Sequence, residues 1–256
     1  MSTDIVEFQV VNKAQKIEKF PVHLKILCLR SQVFHDYIKA LKPSGKEINR
    51  VMLVMNMKPR AVAFFVDWAY RGVLPDGHSK SYLVDMCYFW DFATRYSLFK
   101  LADEIMDKVR QLCKVYNQTF DIKFLAEIYD MSTSTSAKSR LQEFTTSMLI
   151  YELYTKKKLA KKGGDQDALL AGYLELRSWW PYVKDREALY TNLVFSLQRV
   201  SDPEKCEKFA YPTQISRNVK RSRCRYHVHA EIPNEDDTPC TNAEAKKEWI
   251  DDDEDW

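Results

Sequence analysis

Glycine is scarce in this chain, with six in 256 residues. Turn-rich β-sandwiches and barrels draw on many residues that tolerate positive φ, so this scarcity argues against them and favours a helix-dominated fold. Long apolar runs are missing too. The longest are short, such as residues 61–66, against the ~18 apolar residues that a membrane span takes. The opening Met1-Ser2-Thr3-Asp4-Ile5 carries neither a basic nor an apolar leader. An intracellular protein, cytoplasmic or nuclear and free of the membrane, is therefore expected. The sequon Asn117-Gln118-Thr119 is then a chance match.

Cysteine pairs of the C-x-x-C type are also absent. The six cysteines, at 28, 87, 113, 206, 224 and 240, are scattered. Cys28, Cys87 and Cys113 fall within or beside apolar helical patterns, so buried thiols are expected rather than disulfides. No H-E-x-x-H, G-x-S-x-G or G-x-G-x-x-G occurs, and no enzyme is expected. Residues 72–79 approach the phosphate-loop pattern, but His78 replaces its lysine and Pro75 removes a backbone N–H. The segment also follows a predicted helix rather than a strand, so a plain loop is the preferred reading.

What is present is charge, unevenly spread. From Glu231 onward there are 11 acidic and 2 basic residues, a net of −9, so the first 230 residues carry +12. Residues 231–256, with Asp251 to Asp255 near their end, read as a disordered acidic tail that either stays solvated or folds back on the basic body.

Ile5 to Val11 is rich in β-branched and aromatic residues and predicts a strand, with Ile17 to Val22 as its hairpin partner. From His23 the period turns helical, with Leu24, Leu27 and Cys28 on one face. Ser31 is placed to cap the next helix, whose stripe is Val33, Phe34, Tyr37, Ile38 and Leu41. Val51 to Met55 predicts a buried strand. Pro59 opens a helix with Val62, Phe65, Val66, Ala69 and Tyr70 inward, and Gly72 ends it. Two more helices follow, one with Leu83, Met86, Trp90 and Ala93 in line, the other with Leu101, Ile105, Val109 and Leu112. The remainder is helical over 120–129, from Leu141 through Tyr151 into the lysines of 156–162, over 165–176, and over 185–200. Trp179 and Trp180 are expected to pack these helices together.

Three ordered motifs carry a resemblance. Residues 20–34, Phe-Pro-Val-His-Leu-Lys-Ile-Leu-Cys-Leu-Arg-Ser-Gln-Val-Phe, resemble the signature of BTB/POZ domains. Val54 to Gly72, ending Phe65-Val66-Asp67-Trp68-Ala69-Tyr70-Arg71-Gly72, and Phe92 to Asp107 agree with later family segments in order and spacing. The helical remainder is similar to fungal members. The resemblance implies a helix-dominated α+β fold, with a BTB/POZ-like domain of small sheet and flanking helices at 4–112. An all-α extension at 113–230 and the acidic tail at 231–256 complete the expected division. Its signature residues here are Phe20, Val22, His23, Leu27, Ser31, Phe34, Phe65, Tyr70 and Gly72, with His23 as a hydrogen-bonding residue of the fold. It implies other proteins as partners, among them a cullin-type ubiquitin-ligase scaffold. Only Met1-Ser2-Thr3 precede the first strand, so a strand-swapped homodimer is not expected. Pro43 stands where cullin-binding members often place an acid.

Two constellations lie outside that resemblance. Cys224, His227, His229 and Cys240 are ligand types that zinc accepts. The one-residue spacing of the histidines suits few structural sites, however, so an unliganded segment is preferred and no cofactor is expected. Arg217, Lys220, Arg221, Arg223 and Arg225 form a basic stretch that reads as a solvated patch, with nucleic-acid binding or a nuclear address as the alternative.

Overall fold

A computed structural model describes residues 5–12, 14–41, 51–55, 57–117, 119–131, 137–163 and 177–201. Strands β1 (Ile5–Val11) and β2 (Ile17–His23) form an antiparallel hairpin with Phe8 opposite Phe20 and Val6 opposite Val22. Asn12 builds its turn. Its side-chain oxygen accepts the N–H groups of Ala14 (2.9 Å) and Lys16 (3.0 Å), and its amide donates to Glu18 (2.8 Å). Strand β3 (Val51–Met55) pairs parallel to β1, giving the order β2-β1-β3. The parallel pairing requires a crossover, supplied here by α1 (Leu24–Arg30) and α2 (Gln32–Leu41).

Three longer helices follow: α3 (Pro59–Arg71), α4 (Lys80–Arg95) and α5 (Phe99–Tyr116). Their ends carry the expected chemistry. Gly72 terminates α3 at φ 72°, its N–H on the Trp68 carbonyl, and the Ser79 side chain accepts the Tyr82 N–H to open α4. The loop between them is filled by Tyr82. Its hydroxyl donates to the Pro75 carbonyl, and a Cβ at Gly77 would stand 2.5 Å from its ring. That packing suits a plain loop.

The core lies beneath the sheet. Val6, Phe8 and Val10 point into it from β1 and meet Leu27, Phe34, Ile38, Phe65 and the inward faces of α4 and α5. Phe8, Phe34 and Phe65 pack mutually at centroid distances of 5.5–5.9 Å, and Phe92 and Tyr96 extend the cluster at 4.7–4.8 Å. Phe20 is half-buried at its edge. Leu83, Met86, Trp90 and Ala93, and likewise Leu101, Ile105, Val109 and Leu112, are buried as their periodicity predicts. Cys87 and Cys113 are buried thiols; Cys28 is half-buried.

Some inward assignments require correction. Val33 and Tyr37 are 41 % and 48 % exposed, because α2 seats the neighbouring pair Phe34 and Ile38 on the core. Tyr70 is 44 % exposed, since α3 presents Ala61, Phe64 and Phe65 inward and leaves the tyrosine at the rim. Trp180 faces outward and only Trp179 of that pair is buried.

Helices α6 (Ile122–Asp130), α7 (Ala137–Gly163), α8 (Trp180–Val183) and α9 (Glu187–Ser201) complete the described chain. Phe120, Phe124, Ile128, Leu141, Phe144 and Met148 join the main core. A second cluster collects Leu125, Leu149, Leu153, Trp179, Leu189 and Leu193. The Tyr129 hydroxyl meets Thr146 of α7 at 3.0 Å and accepts from Asn192 of α9 at 2.7 Å. Beside it, Arg186 forks onto both oxygens of Asp130.

Candidate interaction site

The signature residues converge on the corner where β2 enters α1. His23 precedes α1 in extended conformation. Its backbone N–H donates to the Tyr70 hydroxyl at 3.0 Å, and its Nδ1 lies 2.6 Å from the same oxygen. The rim position of Tyr70 is what lets it reach the strand end.

Ser31 joins two helices. Its N–H donates to the Leu27 carbonyl, closing α1, and its Oγ accepts the Phe34 N–H at 3.3 Å, opening α2. Arg30 donates to the Ala69 carbonyl at 3.1 Å and lies over the Trp68 ring. A Cβ at Gly72 would come within 3.0 Å of the Arg30 guanidinium, so Gly72 serves both the positive φ and this close approach. These residues hold α1, α2 and α3 in fixed relation; no nucleophile is paired with a base among them.

Two surfaces are held by that frame. On the first, α1 and α2 expose Leu29, Val33 and Tyr37. Val33 and Tyr37, one turn apart, share a face of α2. The second is an open cleft of about 960 Å³ between the β1–β2 turn, the start of α3, α4 and α6. Phe20, Ala63, Val84 and Phe124 give it an apolar lining. Lys58 lies over the Tyr88 ring, its Nζ 4.8 Å from the centroid, and the Tyr88 hydroxyl donates to Glu127. Burial first, and then Glu127, push the Tyr88 phenol well above its ordinary range. Burial also raises the Asp85 carboxyl, with Arg60 at 3.7 Å opposing. Asp121 caps α6 through the Phe124 N–H (2.8 Å). An apolar floor rimmed by charges of both signs suits a polypeptide segment better than a small ion.

Sequence reasoning reaches the corner but not the cleft, because Lys58, Tyr88 and Glu127 share no local pattern. Exposure of Val33 and Tyr37 was not legible either. Cys224, His227, His229 and Cys240, and the basic residues Arg217, Lys220, Arg221, Arg223 and Arg225, lie outside the described residues, as does Pro43. Among the described residues, no three His, Cys, Asp or Glu side chains are grouped to hold a metal ion, and no helix is long and apolar enough to cross a membrane.

Set against known protein families, residues 8–111 match the model of the BTB/POZ domain. No curated protein matches the chain. The matched segment runs from the middle of β1 through most of α5 and contains the whole His23–Ser31–Tyr70–Gly72 corner. A BTB/POZ domain is a protein–protein interaction module, typically without catalytic activity.

Proposed function

We propose that this protein is a non-enzymatic adaptor or scaffold that binds other proteins through residues 4–112, with residues 113–230 as a helical extension and 231–256 as an acidic tail. The supporting observation is the matched domain, whose signature residues are spent on internal contacts while Leu29, Val33 and Tyr37 remain exposed. A scaffold that fixes its helices through buried and capped residues leaves recognition to what it exposes.

The test is affinity purification with quantitative mass spectrometry, comparing the native chain with Val33→Glu/Tyr37→Glu and with Lys58→Glu/Glu127→Lys. Selective loss of a reproducible set of proteins in one variant, with the fold intact by circular dichroism, assigns the binding surface. Identical recovery in all three sinks the reading. Purified cullin scaffold forms a separate arm, in which saturable binding supports a ligase-adaptor role and its absence removes it. A second reading, zinc or nucleic-acid association by residues 217–240, draws on their Cys/His and Arg/Lys content alone. Metal analysis returning no stoichiometric zinc, together with no salt-dependent DNA binding, disposes of it.

A further inference from the structure

Four carboxylates and three cations line the cleft between the hairpin turn, α3, α4 and α6, and they are not matched alike. Each carboxylate has a donor or a cation beside it. Glu18 accepts from the Asn12 amide at 2.8 Å, Glu127 accepts from the Tyr88 hydroxyl, and Asp85 faces Arg60 at 3.7 Å. Asp121 accepts the Phe124 N–H at 2.8 Å and lies 3.5 Å from Lys80. Of the cations, only Arg60 is answered. Lys58 is half-buried with its ammonium over the Tyr88 ring, and Lys123 is exposed on the α6 side. Neither lysine meets a carboxylate among the described residues. An ammonium carries three donors and no acceptor, so an anion is what these two lack.

The fold by itself does not reward cations at these positions. Lys58 is the N-cap of α3, with no side-chain bond to the helix, and Arg60 follows in the first turn. Lys123 is the second residue of α6. A helix N-terminus bears partial positive charge and favours acids, so a cation there is unfavourable. Neither first turn holds an acid, and Asp121 at the α6 N-cap is the one counterweight. Two helices thus bring their positive ends and an unmatched lysine each to one cleft.

Between the charges the lining is apolar, from Pro59 and Ala63 of α3, Val84 of α4, Phe124 of α6 and Phe20 of β2. A small free anion would leave that floor uncovered. We infer that the cleft takes a polypeptide segment in which Asp or Glu stands beside Leu, Ile or Phe. Its carboxylates lie toward Lys58 and Lys123, and its apolar side chains cover Ala63, Val84 and Phe124. This rests on the protein-binding role proposed above and gives it a site and a charge preference.

The probe is a displayed library of random short peptides selected on the full chain. Retained peptides are synthesised and titrated against the native chain and its variants. They should pair acidic with apolar residues, and Lys58→Glu/Lys123→Glu should weaken them by about tenfold or more. Lys58→Gln/Lys123→Gln should fall between, and about 0.5 M salt should weaken binding to the native chain. Glu127→Gln should leave them bound. Both lysine reversals place an acid at a helix N-terminus, where it is favoured, so circular dichroism should be unchanged.

Retained peptides that are neutral or basic, that bind the reversed variant as well as the native chain, or that fail with Glu127→Gln overturn the assignment. So does the recovery of no peptide. Self-association abolished by the same reversal would mean that a second copy fills the cleft, and overturns it too. The protein-binding role is decided separately by affinity purification. If partners are lost there with Val33→Glu/Tyr37→Glu alone, that role stands and only the cleft assignment falls.

Discussion

Phe34 shows how much one side chain can carry in this fold. Its ring contacts Phe8, Phe65 and Tyr96 at 4.8–5.8 Å, and its N–H closes the Ser31 cap. Phe34→Ala is expected to cost ~3–5 kcal/mol by opening a cavity that three rings cannot collapse into; urea denaturation reads it, and an unchanged midpoint would refute the packing. Tyr82 makes a pH-dependent claim. Burial, with a smaller push from Asp76, raises its phenol to about 12. The folded state therefore prefers the neutral ring more strongly than the unfolded chain, whose value is ~10. That preference is fully present below pH ~10 and is lost as pH climbs from there toward 12. Tyr82→Phe should be less stable near neutrality by ~1 kcal/mol, through the lost bond to Pro75. Between pH ~10 and 12 it should lose on the order of 2 kcal/mol less than the native chain. Tyr88 and Tyr129, also raised by burial, will leave part of the alkaline loss in place.

At the scale of elements, polar bridges tie the later helices to one another. The Tyr129 hydroxyl touches both α7 and α9, so Tyr129→Phe leaves Thr146 and Asn192 short of a partner. A loss of ~1–2 kcal/mol is expected, seen as faster hydrogen exchange in α9 with the α4 amides unaffected. Equal acceleration in α4 would mean the helices are not separately tied. The elements also show where a sequence stops being informative. In α5 the apolar residues form one stripe flanked by polar ones, so periodicity alone finds the buried face, whereas α4 is buried on every side from Phe89 to Thr94 and periodicity finds only part of what it buries. Helix α2 offers Val33/Tyr37 beside Phe34/Ile38, two apolar pairs about 100° apart. Which of them turns inward depends on Phe8 and Phe65, supplied by distant segments. Tyr70 reads as core for the same reason, although its hydroxyl is needed at the rim for His23. The Lys58–Tyr88–Glu127 cleft joins residues separated by some seventy positions, and nothing local announces it.

For the molecule as a whole, the core does not stop where the family match does. Phe120, Phe124, Leu141, Phe144 and Met148 belong to the same apolar cluster as Phe8 and Phe65. A chain cut after Tyr116 would uncover the faces of α4 and α5 that these side chains shield. We expect such a fragment to bind an apolar fluorescent dye and to aggregate at concentrations where the full chain stays dispersed. A monomeric fragment with native-like melting would show the two parts to be independent.

The placement of β1 between β2 and β3 has a consequence for biosynthesis. The central strand emerges from the ribosome before either neighbour, and its hairpin partner follows within a few residues. Its second neighbour, β3, begins only at Val51. Until that stretch emerges, one flank of β1 offers unsatisfied amides and carbonyls to any passing strand. Slow translation between the hairpin and β3 would prolong that exposure, so a holdase that shields nascent chains should matter most in this interval.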